Sequence, residues 1–424
     1  MLFRSPSTMA DIYSSSSPNP FPSSGEPYYK NPFVNAYKLE KITVAEGNSV
    51  YMSDDDGNFY TIDGKLISVP MGKTGKLTIS ATEIESTAFF GTQATEIVIK
   101  AGVTDLANYA MAGMDKVRSV TLPEGLETIG TYAFANCENL EKVNIPGSVA
   151  IINNFTFMNC AKLNDLTLGE GITTIGTSTS ATYNYPVFGG CDSLKEIKIP
   201  NSVFSIGVKA FNGWACDTLV LDSEELVNIT NYAFYGARIK HLVIGEQVKT
   251  IGQYAFDACT ELETVVFKGA TAITGGYAFR GNTSLKSVVF EDPDADMSGS
   301  YIFKDCTSLE SFTFPANMTN IPTYLFEGCT ALTSVTIGEN IDLVGNYAFK
   351  DCLNLKSIYI PASVMTMGQG AFRNWTEEQT IYIELEDIDL PSTWFGTLYT
   401  NTGDWDAYCN AKVVYGVAPE DYVG

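Results

Sequence analysis

Apolar and polar positions alternate in short bursts along most of this chain, and the bursts return at a fixed interval. Leu140, Val143 and Ile145 read L-x-x-V-x-I, as do Leu332, Val335 and Ile337. Apolar residues two apart with variable residues between them mark a half-buried strand. Pro or Gly follows directly, at Pro123, Pro146, Pro200, Pro315 and Pro361, or at Gly169, Gly245 and Gly338. Proline has no N–H to donate, so the ladder stops there and the chain turns. A second short apolar pair comes next, such as Val203 with Ile206 or Val248 with Ile251. Then, in most units, comes a glycine: Gly130, Gly176, Gly207, Gly252, Gly345 and Gly368. A tight corner at positive φ is its expected use. The A-F-x-x-C segment that closes a unit is predicted to form one or two short helical turns with the Phe inward.

Aligned on that Phe, the units fall at Phe89, Phe134, Phe157, Phe188, Phe211, Phe234, Phe256, Phe279, Phe303, Phe326, Phe349 and Phe372, with Met111 in the gap after Phe89. The steps are 22, 23, 23, 31, 23, 23, 22, 23, 24, 23, 23 and 23 residues, which makes thirteen units. A fixed period in this range marks a solenoid, in which no unit closes a core alone and neighbours must stack. Parallel strands advance about 4.8 Å per unit, so the array predicts a rod or shallow arc roughly 60 Å long. Truncating one inward Phe to Ala is expected to cost about 3–5 kcal/mol.

The motif A-F-x-x-C-x-x-L-x-x-V-x-I-P stands at Ala133–Pro146 and Ala348–Pro361. It resembles the BspA-like class of leucine-rich repeat proteins, and the resemblance covers Ala88 to about Trp375. It implies an α/β repeat solenoid, right-handed, of parallel strands with short helical turns and β-rich caps at both ends. It also implies a non-catalytic role in attachment to host proteins, matrix or other cells, mostly from microbial surfaces. It brings no catalytic residues.

The flanks read differently. Residues 1–32 are rich in Ser, Pro, Asn and aromatics, and form either a flexible arm or a docking arm. Residues 33–87 alternate between turn signals at Asp56-Gly57 and Asp63-Gly64, which predicts strands joined by hairpins as an N-terminal cap. Residues 88–375 are the solenoid. Residues 376–424 break the repeat, and Trp394, Phe395, Trp405 and Tyr408 supply bulk for a C-terminal cap.

Charge narrows the function classes. The net charge of −23 argues against nucleic-acid backbone and anionic membranes, and favours neutral or basic partners. No apolar run reaches the 18 or so residues of a membrane span, and the N-terminus lacks the apolar segment of a secretory signal. Two homes are compatible with these features. One is the surface of a cell, as an adhesin-type binder of a host or neighbouring-cell protein or glycan. The other is the surface of a phage or virus particle or an appendage, as a structural or receptor-binding component anchored in a larger assembly through residues 1–32. Seven of the nine Cys share one slot, three after the Phe: Cys137, Cys160, Cys191, Cys259, Cys306, Cys329 and Cys352. A ladder of buried thiols is expected, with no metal site, because tetrahedral ligands do not converge along a straight column. No cofactor motif appears, and a single histidine leaves little room for catalysis.

Two rows are candidate binding surfaces. The outward strand position runs Thr121, Asn144, Thr167 and Lys198, then Val220, Val243, Val266 and Val289. The four Val, with His241 beside them, form a strand-face stripe that is either an interface or plain strand propensity. Tyr232, Tyr254, Tyr277, Tyr301, Tyr324 and Tyr347 lie two before the Phe in consecutive units, and serve either recognition or packing. The longer unit carries an insertion, 177–186, whose Tyr183 and Tyr185 are further candidates in a surface loop.

Overall fold

The computed structural model describes residues 2–3, 33, 36–179, 181–182, 184, 186–391, 394, 406 and 409–422. They fall into two compact units, one taking in residues up to 179, 183–203 and 213–215, the other 180–182, 204–212 and 216 onward.

In the first unit, strands Thr74–Ile79, Gln93–Ile99, Ser119–Thr121, Lys142–Ile145 and Asp165–Leu168 form one parallel sheet. The register follows the repeat, with Ser119 opposite Lys142 and Lys142 opposite Asp165. The second apolar pair of each coil forms its own parallel sheet, through Glu83–Ile84, Asp105–Leu106 and Thr128–Ile129. That sheet continues into antiparallel hairpins, Tyr51–Ser53 with Phe59–Thr61 and Phe59–Thr61 with Leu66–Ser68. The first hairpin turns through Gly57 at φ 76°, whose N–H donates to Asp54 O at 2.9 Å. Phe33, Ile42, Phe59 and Ile67 close a small core beneath it. Leu2–Phe3 pair in parallel with Thr43–Val44, and the rest of the 1–32 arm lies outside the described residues.

The second unit repeats the plan. Ala215–Leu221, which belongs to this unit from residue 216 on, forms a four-stranded parallel sheet with Arg238–Ile244, Thr264–Phe267 and Ser287–Phe290, followed by Ser311–Thr313 with Ser334–Thr336. It ends in Ser357–Ile360, Thr380–Ile383 and Lys412–Val414. Trp375 and Trp394 are fully buried at this end. Their indole N–H groups donate to Phe349 O at 2.9 Å and Val364 O at 3.3 Å. Phe395, Trp405 and Tyr408 lie outside the described residues.

Every inward Phe from Phe89 to Phe372 is fully buried, as is Met111. Within each unit successive rings stack on one another. Centroids lie 4.9 Å apart at Phe211–Phe234 and 6.1 Å apart at Phe303–Phe326.

The expected helical turns are not formed. Among the described residues the helical segments are the short 3-10 pieces Asp387–Asp389 and Pro419–Asp421. The hydrogen bonds give the reason. In one coil Ala233, Tyr235 and Ala237 donate back three residues, to Thr230, Tyr232 and Phe234. The residues between them point the other way. Tyr232, Phe234 and Gly236 donate to Gln253, Ala255 and Asp257 of the next coil at 2.9–3.0 Å. An α-helix would use all these donors internally and leave the coils unjoined. Here they split between a local turn and a lateral ladder. The split requires left-handed backbone twice per coil. Tyr232 and Gly236, at φ 58° and 66°, take that conformation two before and two after Phe234.

The corner glycines also differ from expectation. Gly176 has φ 77°, but Gly130, Gly252, Gly345 and Gly368 do not have positive φ. They are small because the coil beneath is close. A Cβ on Gly130 would come 2.4 Å from Asn108 N, and one on Gly368 2.3 Å from Asn346 N.

Candidate functional site

In a strand, alternate side chains leave the core, and the 23-residue step keeps equivalent residues in line. On the second unit's sheet this places Val243 opposite Val266 and Val266 opposite Val289. Val220 occupies the neighbouring strand in the same sheet. Val220 and Val289 are 42% and 44% exposed, and the two between them are half-buried. His241 lies on the same face, opposite Thr264, with its Nδ1 2.9 Å from Thr264 Oγ1. The imidazole is thus tied sideways to the next strand. Exposed ion pairs Lys240–Asp217 and Lys286–Glu263, at 2.7 and 2.8 Å, border the stripe.

The tyrosine row is a continuous stack. Ring centroids from Tyr232 through Tyr254, Tyr277, Tyr301 and Tyr324 to Tyr347 are 4.7, 5.0, 4.5, 4.3 and 4.7 Å apart. Each inner ring has both faces on its neighbours, so what remains outward is the ring edge and hydroxyl. All six residues have positive φ, between 54° and 61°. Burial and then the adjoining Tyr324 and Tyr277 push the Tyr301 phenol up to about 12, so it remains a donor at neutral pH.

Cations line the row. The Arg280 guanidinium lies 5.4 and 5.0 Å from the Tyr254 and Tyr277 centroids, and donates to both carboxylate oxygens of buried Asp257 at 3.0 and 2.7 Å. Burial pushes the Asp257 carboxyl up, and the bonds from Arg280 oppose this only in part. Glu327 accepts from Lys304 and Lys350 at 2.7 and 2.6 Å. Burial pushes its carboxyl up, but these two bonds outweigh that and hold it below the usual range. Tyr183 and Tyr185 lie outside the described residues.

The first unit holds a feature the sequence did not signal. Its outward strand face carries a recess of about 430 Å³, lined among others by Ser119, Thr121, Glu124, Lys142, Asn144 and Thr167. Thr121, Asn144 and Thr167 are the outward strand positions of three successive coils. Period-two patterning places them on this face, but it carries no information on concavity. The corners Gly147, Gly169 and Gly171 pack so closely that a Cβ on any of them would fall within 2.4 Å of another coil's backbone.

The cysteine column is structural in geometry. Cys160, Cys191, Cys259, Cys306, Cys329 and Cys352 are free and buried. Each thiol donates to the carbonyl of the preceding coil's inward Phe at 3.0–3.3 Å. Burial pushes the Cys259, Cys306 and Cys352 thiols far up, which keeps them protonated and suits a donor rather than a nucleophile. Trp375 fills the same slot in its coil and donates to Phe349 O in the same way. Among the described residues no group of three or more His, Cys, Asp or Glu is placed to hold a metal ion. Nor is any helix among them long and apolar enough to cross a membrane.

Comparison with known proteins follows the same lines. A family model, the BspA type leucine rich repeat region (6 copies), matches residues 82–184, 180–298 and 296–397. No curated protein matches the chain. Similar solved structures include a leucine-rich repeat protein from Bacteroides ovatus at 19% identity, covering 74% of this chain and 93% of that one, with a TM-score of 0.47. A leucine rich cell surface protein from Faecalibacterium prausnitzii is 17% identical, with 89% and 95% covered and a TM-score of 0.32. The pneumococcal vaccine antigen PcpA is 17% identical, with 88% and 99% covered and a TM-score of 0.42. With the family model spanning well over half of its length, repeat after repeat, the chain belongs to the BspA type leucine rich repeat family.

Proposed function

We propose that this is a non-enzymatic recognition protein, displayed at a cell surface, that attaches to a host or neighbouring-cell protein through the outward strand face of its second unit. The observation that carries the reading is the apolar stripe in which Val243, Val266 and Val289 stand in register and Val220 lies on the adjoining strand, with its two outer members more than 40% exposed. Isolated exposed apolar side chains are ordinary, whereas a contiguous row of them is the usual mark of an interface. Its position fits the part such patches play, as a dry centre within a rim of charged pairs. His241 would sit at the edge of this contact, and the hydroxyl edges of Tyr232 to Tyr347 would offer a second, polar contact line. The net charge of −23 favours a neutral or basic partner.

The test is binding of the whole chain to intact cells and to a panel of immobilised extracellular matrix proteins. The double variant Val243→Asp with Val266→Asp is expected to lose at least tenfold in affinity while its melting transition barely moves. Unchanged affinity in a folded double variant would remove the stripe from the interface.

A further inference from the structure

We propose that the recess on the first unit's strand face is a binding site for a neutral saccharide. It is carried by residues of the first unit alone and does not depend on the stripe described above. Three observations combine. The first is shape. The recess of about 430 Å³ spans three adjoining strands, Ser119–Thr121, Lys142–Ile145 and Asp165–Leu168, and lies in the range of roughly 300–1,000 Å³ typical of small-ligand sites.

The second is unspent hydrogen-bonding capacity. Among the described residues, nothing hydrogen-bonds to the side chains of Ser119, Thr121, Asn144 or Thr167. Elsewhere in this unit a number of polar side chains do join the coils. Asn108 Oδ1 accepts from Thr131 N at 2.8 Å, Asn153 Nδ2 donates to Ile129 O at 2.7 Å, and Ser148 Oγ reaches Glu124 O and Leu126 O at 2.6 Å. The four side chains in the recess are not needed by the fold. Asn144 lies opposite Thr167 in register, and Thr121 precedes Asn144 by the same 23-residue step. They therefore form a column of hydroxyl, amide and hydroxyl with rungs about 4.8 Å apart. Each offers both a donor and an acceptor, the mixed pattern that sugar hydroxyls require.

The third is what the recess lacks. Val120, Leu122 and Ile145 also line it, but at 3%, 8% and 1% exposure they leave little side chain for a ligand to reach. No apolar socket is left for the anchor side chain of a peptide. The one cation in its lining, Lys142 Nζ, is paired with Asp165 at 2.5 Å, and the Glu124 carboxylate lines the same recess, so the local charge disfavours a phosphate or sulfate. A hydroxyl-rich, uncharged ligand satisfies the recess, and a protein anchor or an anion does not.

The experiment uses the whole chain on a printed array of neutral oligosaccharides, with each hit titrated calorimetrically. Binding is expected in the millimolar to high-micromolar range. The triple variant Thr121→Val, Asn144→Leu, Thr167→Val should weaken it at least tenfold, and Val243→Asp with Val266→Asp should leave it unchanged. If the triple variant does not fold, methyl NMR of the unaltered chain decides, because the Thr121 and Thr167 methyls should shift on titration with the hit sugar. The proposal is overturned if no neutral saccharide binds, if the folded triple variant binds as well as the parent, or if the two methyls stay in place at saturation.

Discussion

Tyr277 sits at φ 60°, a backbone region that costs an L-residue roughly 1–2 kcal/mol. Tyr232, Tyr254, Tyr301, Tyr324 and Tyr347 do the same, and Lys209 and Thr87 hold the equivalent place in other coils. The stack offsets the cost, since Tyr277 contacts Tyr254 and Tyr301 at 5.0 and 4.5 Å and each such pair contributes about 0.5–1.5 kcal/mol beyond burial. The row in the first unit, Tyr109, Tyr132 and Phe155, stops where Pro186 takes the place two before Phe188. The proline ring fixes φ near −65° and forbids the left-handed turn. Two substitutions separate strain from stacking. Tyr277→Gly removes both, whereas Tyr277→Val removes the rings' contact and keeps the strain on a β-branched residue. Urea unfolding should find Tyr277→Val less stable than Tyr277→Gly by about 1–2 kcal/mol. Equal losses, or a milder valine, would show that the left-handed backbone is not what the position selects.

At the scale of the element, the period-two strands were legible from alternation alone, because one face is buried and the other is not. Val120, Val143 and Leu166 pair in line just as the L-x-x-V-x-I spacing requires. The closing turn was misread for a physical reason. Ala, Phe and Cys at A-F-x-x-C fit a helical face locally, and nothing in one coil's sequence reveals that half its N–H groups will be claimed by the next coil. The aromatic at the left-handed position hid the turn further, since Gly or Asn is the usual signal there. The corner glycines were read as conformational when most are steric. Gly275 tests that distinction. A Cβ there would meet Gly252 C at 2.0 Å and Gln253 N at 2.2 Å, whereas one on Gly338 meets nothing within 4 Å. Gly275→Ala should destabilise by about 1–3 kcal/mol, while Gly338→Ala should stay within about 0.5 kcal/mol of the parent. Thermal melting of the two variants side by side checks this, and equal melting points would argue that the coils can separate freely at the corner.

For the molecule as a whole, the repeat carries the architecture, and the proposed contact surfaces lie where the outward positions depart from one another. Thirteen near-identical coils make two units whose cores are hard to tell apart, with a buried Phe or Met in every coil. Their outward strand positions are not alike. The first unit shows Thr121, Asn144 and Thr167, the second Val220, Val243, Val266 and Val289. Those identities could be read from the sequence. Their exposure, the contact of His241 with Thr264 and the recess around Asn144 needed coordinates, because side-chain burial and concavity are set by contacts between coils that no single coil's sequence encodes. The tyrosine row could be counted in advance, but not the fact that its rings face one another.

Attachment through the valine strands requires that this face, and not another, meets the partner. The most direct measurement places a photo-reactive amino acid singly at Val266, at Tyr301 or at Gly338, and irradiates each chain while it is bound to the cells or matrix protein that retain the parent. A discrete adduct of one partner is expected from position 266, little or none from 338, and the 266 adduct should be lost when unlabelled parent chain competes. An adduct that forms from Tyr301 or Gly338 but not from Val266 would move the recognition surface off the valine strands.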